Sequence, residues 1–356
     1  MTTTVEIAAV RPVRPVRPDM AIVASVKHVH DGWRPGPAPA PVPPPPRPRS
    51  SPGPIRSSPG SSPGSGPGPG PGPARKPRGG PGPGRPRLAS MTASAASPVP
   101  AAELARVRAF LADSARRQAP RVLELPGGFA VLNAELPHSR VDNQLFVDRA
   151  VPDPDALPAL VDRALDGLAH RLVTALDDRA GEALAGPLSR AGYEHTVDLL
   201  MVHRGPVPAL GTGPRRAGTV GLDALRGPLT RRWRGFLPDA DEETLRQLVE
   251  RRTVRLRCAP VVHFVGSRAE DGEVASWADL YLDPAAGLAQ IEDVLTAEAH
   301  LGRGHGNAVL AEALRLAADA GCGTRFLIAE ADDWPRDWYE RLGFGTIGRV
   351  HCFERG

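Results

Sequence analysis

The chain has little cysteine, and what it has is scattered. Cys258, Cys322 and Cys352 form no C-x-x-C pair and no disulfide framework within 356 residues, which points to a reducing, cytoplasmic compartment. No apolar run approaches the roughly 18 residues of a membrane-spanning helix. A charged start followed by an apolar leader core is missing as well: "AIVASV" is too short, so secretion is not expected. No acidic residue occurs between Asp31 and Glu103, while arginine recurs there. The net charge of +4 therefore sits largely in the N-terminal tail. A basic nucleic-acid surface on the folded part is not implied, and a weak contact through the tail is the most that charge suggests.

What is abundant is proline and glycine, 41 and 38 residues, many of them in the first hundred positions. Residues 1–98, with runs such as "PGPARKPRGGPGPGRPR", have almost nothing to bury and read as a disordered Pro/Gly/Arg-rich tail. Such an arm either touches anionic or aromatic-grooved partners or is a plain solvated extension. "MTASAASPVPAAELARV" from Met91 also reads as a natural start.

Two folded segments follow. Residues 99–205 open with a helical stripe of Leu104, Val107, Phe110 and Leu111. Strands are expected around Gly127–Gly128 and in "NQLFVDR", then helix-period leucines through "DALPALVDRALDGLAHRLVTAL", then a helix end, a glycine and a strand in "LSRAGYEHTVDLLMVHRG". Residues 206–218 are turn-rich and read as a linker. Residues 219–356 begin with helical material. Strands are expected in "PVVHFVGSR", "GEVASWADLYLD" and "LAQIEDVLTA", then a glycine loop with its helix, the strand "TRFLIAEA", the short helix "PRDWYERLG" and a last strand. The order is mixed α/β.

The loop is "HLGRGHGNAVLAEAL", residues 300–314. Gly302, Gly304 and Gly306 alternate just before an apolar face of Val309, Leu310, Ala313, Leu314 and Ala317. Glycines allow positive φ and close approach to the main chain, and a helix N-terminus offers free N–H groups and the positive dipole end. The combination suits phosphate, although a bland glycine turn has the same composition. A Walker loop is excluded because no Lys follows, and the G-x-G-x-x-G fingerprint does not fit.

The segment resembles the GCN5-related N-acetyltransferase (GNAT) family, whose pyrophosphate loop reads [QR]-x-x-G-x-[GA]. Gly304 and Gly306 match the glycines, Arg303 precedes the first, and Leu301 departs from the usual Gln or Arg. "DWYERLGFGTIG" resembles the family's Y-x-x-x-G-F segment at Tyr339, Gly343 and Phe344, and "AQIEDVLTAEAHLGRGHG" its fourth strand running into the loop. The resemblance covers about 219–356. "LSRAGYEHTVDLLMV" is similar to the same closing unit, so residues 99–205 read either as a degenerate GNAT-like half or as an unrelated α/β domain. The implied fold is α+β: a mixed, mainly antiparallel sheet flanked by helices, in tandem with the degenerate half.

The resemblance implies an N-acetyltransferase that moves the acetyl group of acetyl-CoA to a primary amine in a ternary complex. It places Val294, Leu295 and Thr296 on a bulged strand beside the acetyl-pantetheine arm, and the main chain of Gly302, Arg303, Gly304, His305, Gly306 and Asn307 at the pyrophosphate. Tyr339 is the implied acid for the departing thiolate, or else a packing residue, and Asp332 stands where the family often has Asn. By the two-residue strand period Glu292 shares a face with Gln290 and Val294, and Asp293 faces away unless a bulge alters the phase. Glu292 is the candidate base, or an exposed strand carboxylate. No metal is expected, since His300 and His305 span a loop and no Cys or carboxylate cluster completes a site. Cys258 and Cys352 lie in strand-like apolar runs and read as core. Arg231, Arg232 and Arg234 suggest either an acidic acceptor or an ordinary charged helix face. The acceptor, a small molecule or a peptide, is not readable, but the resemblance implies that the helical region 221–252 and the strand region 260–282 border its site. Two other classes stay open: a non-catalytic acyl-CoA sensor, and a nucleic-acid-associated protein acting through its tail.

Overall fold

The computed structural model describes residues 98–208 and 215–356. The expected tail with Met91, and most of the expected linker, lie outside the described residues. In the first segment come α1 (Pro98–Gln118), β1 (Arg121–Leu125), β2 (Gly128–Leu132), β3 (Gln144–Val147), α2 (Leu157–Ala164), β4 (Arg171–Ala175), α3 (Asp178–Arg190) and β5 (Glu194–His203). In the second come β6 (Ala217–Val220), α4 (Leu222–Phe236), α5 (Glu242–Glu250), α6 (Arg252–Arg255), β7 (Val261–Arg268), β8 (Val274–Asp283), β9 (Leu288–Thr296), α7 (His305–Asp319), β10 (Thr324–Glu330), α8 (Pro335–Arg341) and β11 (Phe344–Arg355).

Most expected elements are present. The helix reading through residues 171–175 is corrected: "RLVTA" is β4, and the helix ends earlier, with Gly167 at φ 81° in the turn between them. Leu172 to Ala175 are all buried, so the strand shows no alternation to betray it. Cys258 is likewise not on a strand but in the turn after α6.

All strands of the described residues join one sheet of eleven, in the order β1-β2-β3-β4-β11-β5-β10-β9-β8-β7-β6. Only β3·β4 and β9·β10 are parallel. The middle of the order is reciprocal. β5 of the first segment lies between β10 and β11 of the second, and β11 lies between β4 and β5. Each segment thus completes the other's sheet. Helices cover both faces. On one, α7 and α8 pack Val309, Leu310, Ala313, Leu314 and Tyr339 onto Ala289, Ile291 and Leu327. On the other, α1 lays Val107 and Phe110 over Leu200, Phe326 and Val350. Phe110 and Phe326 meet edge to face at 5.6 Å. Further polar ties run from α1 to the second segment: Arg117 Nε donates to the Cys258 carbonyl at 2.7 Å, and Arg257 Nη2 donates to that of Gln118 at 2.9 Å.

This arrangement predicts one cooperative unit. Leu200 is fully buried at the centre of β5, and Leu200→Ala is expected to cost about 3 kcal/mol. The tryptophans of the described residues, Trp233, Trp277, Trp334 and Trp338, all belong to the second segment. Their fluorescence midpoint in urea should fall with that of circular dichroism. A fluorescence midpoint unmoved by Leu200→Ala would mean that the segments unfold separately.

Candidate active site

β9 and β10 run parallel but pair only at their starts, Leu288–Gln290 with Thr324–Phe326. From there β9 stays with β8 as far as Thr296, and β10 stays with β5 as far as Glu330. The two strands therefore part, leaving a V whose walls are 291–296 and 327–330. The corresponding strands of the first segment do not part. β3 and β4 pair to their ends at Val147↔Ala175, and the Leu176 N–H still donates to the Val147 carbonyl at 2.9 Å.

The wall at β9 is bulged. Its register against β8 slips between Asp279↔Glu292 and Trp277↔Leu295, so Asp293 and Val294 oppose Ala278 alone. Asp293 has φ 51°, the one non-glycine among the described residues with positive φ. Such a bulge leaves a residue out of the ladder and turns the side chains that follow. The strict two-residue alternation is corrected here. Val294 joins the α7-side core instead of sharing a face with Glu292. The Asp293 carboxylate lies on the opposite, Glu292 side, where Arg252 Nη2 reaches it at 2.9 Å and Arg255 Nη1 at 2.8 Å.

Those arginines hold a buried ionic cluster. Asp279, directly opposite Glu292, accepts from Arg252 Nε at 3.2 Å, Arg255 Nη1 at 2.7 Å and the Tyr281 hydroxyl at 3.2 Å. Arg251, Arg252, Arg255, Asp279 and Asp293 are all buried, and Glu292 is partly exposed. Burial pushes the Glu292 carboxyl up to about 7, against the pull of Arg255 and with the help of neighbouring Asp293. Asp293 goes the other way: burial would raise it, but the Arg255, Arg252 and Arg251 guanidiniums hold it well below the usual carboxylate range. Two adjacent carboxylates are thereby split, one permanently charged and one poised near neutrality.

Glu292 opens onto a small cleft on the α1 face, with a volume of about 70 Å³. Its lining is shared: Gln118, Gln144 and Thr174 come from the first segment, and Arg255, Gln290 and Glu292 from the second.

At the far end of β9 stands the glycine loop. Gly302 has φ 70° and Gly304 φ 83°, and a side-chain carbon at either would meet nothing within 4 Å. Gly304 caps α7. Asp177 caps α3 and Asp241 caps α5 with their carboxylates, but no side chain caps α7 and no acidic residue occupies its first turn. Its first turn therefore has neither a side-chain cap for the N–H groups nor an acidic residue to offset the dipole. Gly306 fits closely, since a Cβ there would lie 3.3 Å from Thr296 Oγ1. Asn307 Oδ1 accepts from Trp338 Nε1 at 3.0 Å, which ties the loop to α8. The His305 ring turns inward to Ser267 Oγ at 2.9 Å, so only its main chain belongs to the cradle. Arg303 and Leu301 are exposed.

Tyr339 is buried against Trp338 and Phe344, with ring centroids at 4.8 and 5.7 Å. Burial raises its phenol above the usual tyrosine range, and the Asp293 and Asp333 charges add to the effect. The tyrosine thus lies within electrostatic reach of the bulge. Asp332 is exposed. Arg231 and Arg234 form exposed ion pairs with Glu273 and Glu242, and the Arg232 guanidinium lies 4.5 Å from the Phe236 ring centroid. Arg252 and Asp279 fall within the regions expected to border the acceptor, but neither they nor Arg255 stood out individually, because "ERRTVRLRC" looks like a solvated helix end. No group of side chains that could hold a metal, and no helix long and apolar enough to cross a membrane, occurs among the described residues.

Comparison with known proteins bears on the same elements. A conserved protein of unknown function from Staphylococcus epidermidis ATCC 12228 superimposes with a TM-score of 0.51 at 12% identity, over 67% of this chain and 94% of that one. A GCN5-related N-acetyltransferase from Kribbella flavida aligns at 19% identity over 71% and 96%, with a TM-score of 0.49. A tandem GNAT protein from the clavulanic acid biosynthesis pathway aligns at 14% identity over 72% and 95%, with a TM-score of 0.43. At these identities the first likeness shows a shared fold alone. No curated protein matches the sequence. The model of the Acetyltransferase (GNAT) family matches residues 228–344, the stretch from α4 through β9, the glycine loop and α7 to the start of β11. Residues 228–344 of this chain are therefore a domain of the Acetyltransferase (GNAT) family.

Proposed function

We propose that the chain is an acetyl-CoA-dependent N-acetyltransferase whose acceptor amine attacks the thioester directly. The observation that carries this reading is the V between β9 and β10, with a bulged wall and an uncapped glycine-led helix at its mouth. The positive-φ glycines leave room for phosphate oxygens against the N–H groups of 302–307. The bulge at 293–296 offers main-chain N–H groups to a carbonyl in the V. Glu292 takes the proton of the attacking amine as the N–C bond forms. The C–S bond breaks, and Tyr339 gives its proton to the thiolate. The partition 99–205 and 219–356 reads as two related halves, the first without a glycine loop and without a parting of β3 from β4, hence without room for pantetheine.

Tyr339→Phe tests the acid. The thiol of a thiolate leaving group has a pKa near 8.5, so it departs tolerably well without help. The expected loss in kcat is about 10- to 100-fold, at the low end for an acid catalyst. Acetyl-CoA affinity by calorimetry should be unchanged. An unaltered kcat with a chemical step shown to be rate-limiting would leave Tyr339 as packing alone. Binding of acetyl-CoA without turnover of any amine would favour a sensor.

A further inference from the structure

The shared cleft holds one unused cation donor. Arg255 has only 5% of its side chain exposed. Its Nη1 is committed to Asp279 and Asp293, but its Nη2 is buried with no hydrogen-bond partner. The nearest carboxylate oxygen is Glu292 Oε1, at 3.8 Å, beyond hydrogen-bond length. A buried guanidinium N–H without an acceptor is costly, and Arg255 lines the cleft beside Glu292. The remaining acids do not supply the acceptor. Asp279 and Asp293 already receive three and two donors respectively. Asp142, also lining the cleft, takes the Ser139 hydroxyl at 2.5 Å.

Charge points the same way. Arg251, Arg252 and Arg255 face Asp279, Asp293 and Glu292, and Asp142 also acts on Arg251. Once Glu292 has taken the amine proton, the cluster has one negative charge fewer to set against its guanidiniums. A ligand anion seated at Arg255 would restore the balance at that moment. The spacing lets that anion sit close to the amine on the ligand. Glu292 Oε1 and Arg255 Nη2 are 3.8 Å apart, so an amine about 3 Å from the first and an anionic oxygen about 3 Å from the second can come as close as about 3 Å to each other. The amine nitrogen and carboxylate oxygens of an α-amino acid have that separation by covalent geometry, about 3 Å.

We propose that the acceptor is a small amino acid-class molecule, with a free carboxylate next to its primary amine, and that Arg255 Nη2 takes the carboxylate while Glu292 faces the amine. The first segment is then part of the acceptor site, because Gln118, Gln144 and Thr174 form its other wall. This inference rests on the acetyltransfer reading above and names its substrate class.

The test uses the full-length protein, saturating acetyl-CoA and thiol release as the readout. Free α-amino acids are compared with their own C-terminal amides and with simple primary amines of similar size. The expected result is a kcat/KM about 10- to 100-fold higher for some free acid than for its amide. In Arg255→Gln the acid-over-amide ratio should fall toward one through a higher KM for the acid, whatever the change in the absolute rates. The wild-type comparison decides the matter even where the variant does not fold. Amides or plain amines used as well as the acids would overturn the inference and leave acetyl transfer standing. No binding of acetyl-CoA at all would instead remove the reading beneath it.

Discussion

Gly304→Glu is expected to weaken acetyl-CoA binding by at least about 100-fold in calorimetric titration of the full-length chain. Gly304 is the cap of α7, at φ 83°. A β-carbon in the left-handed region costs about 1–2 kcal/mol. A carboxylate there would also occupy the open space before the helix N-terminus and take the dipole and N–H groups meant for phosphate. Charge and backbone strain can be separated. Asn tolerates the left-handed region, so Gly304→Asn should keep most of the affinity. Equal loss in both variants would trace the effect to loop conformation. Full retention in Gly304→Glu would mean that pyrophosphate is not held at this loop, and the acetyltransfer reading would lose its main support.

Glu292→Gln is expected to lower kcat by about 100- to 1,000-fold while acetyl-CoA affinity stays within about twofold, the signature of a lost general base. The substitution keeps the shape and removes the charge that receives the amine proton. The pH dependence gives an independent check. Burial raises this carboxyl to about 7, and the base works only when ionised. Activity should therefore be present above that pH and fall as pH drops through about 7, tenfold per unit. Residual activity of Glu292→Gln should lack this limb. A wild-type profile that stays flat down to pH 5 would place the base elsewhere, with Asp142 across the cleft the next carboxylate to replace. Asp293 is not an alternative, since its arginine partners keep it charged and occupied.

Much of the cofactor half of the site was legible before the structure. The alternating glycines, the apolar stripe after them and the Tyr-x-x-x-Gly-Phe segment are local signals. Positive φ, a helix start and a helix face are each settled within a few residues, and short spacing carries them. The aromatic helix that carries Tyr339 is tied to the glycine loop by the bond from Trp338 to Asn307. Of the acceptor half only the bordering regions were legible, not the residues that matter. Arg252 and Arg255 sit in a stretch with the composition of a solvated helix end, and only the register of β8 on β9 brings Asp279 opposite Glu292 to receive them. The face of Asp293 depended on one positive φ, which slips the alternation that sequence periodicity must assume.

The sequence by itself therefore determined the local devices: an uncapped glycine-led helix, a strand carrying two adjacent carboxylates, and a short aromatic helix. Tertiary structure alone decided that β5 and β11 each insert into the other segment's part of the sheet, that α1 roofs a cleft with walls from both, and that an arginine lining it keeps a buried nitrogen without a hydrogen-bond partner. The reason is physical. Backbone conformation is set by neighbours in the chain, whereas the order of β5, β10 and β11 is set by pairing between the two segments, and the buried charges pair across 24 to 41 positions, which no local pattern records.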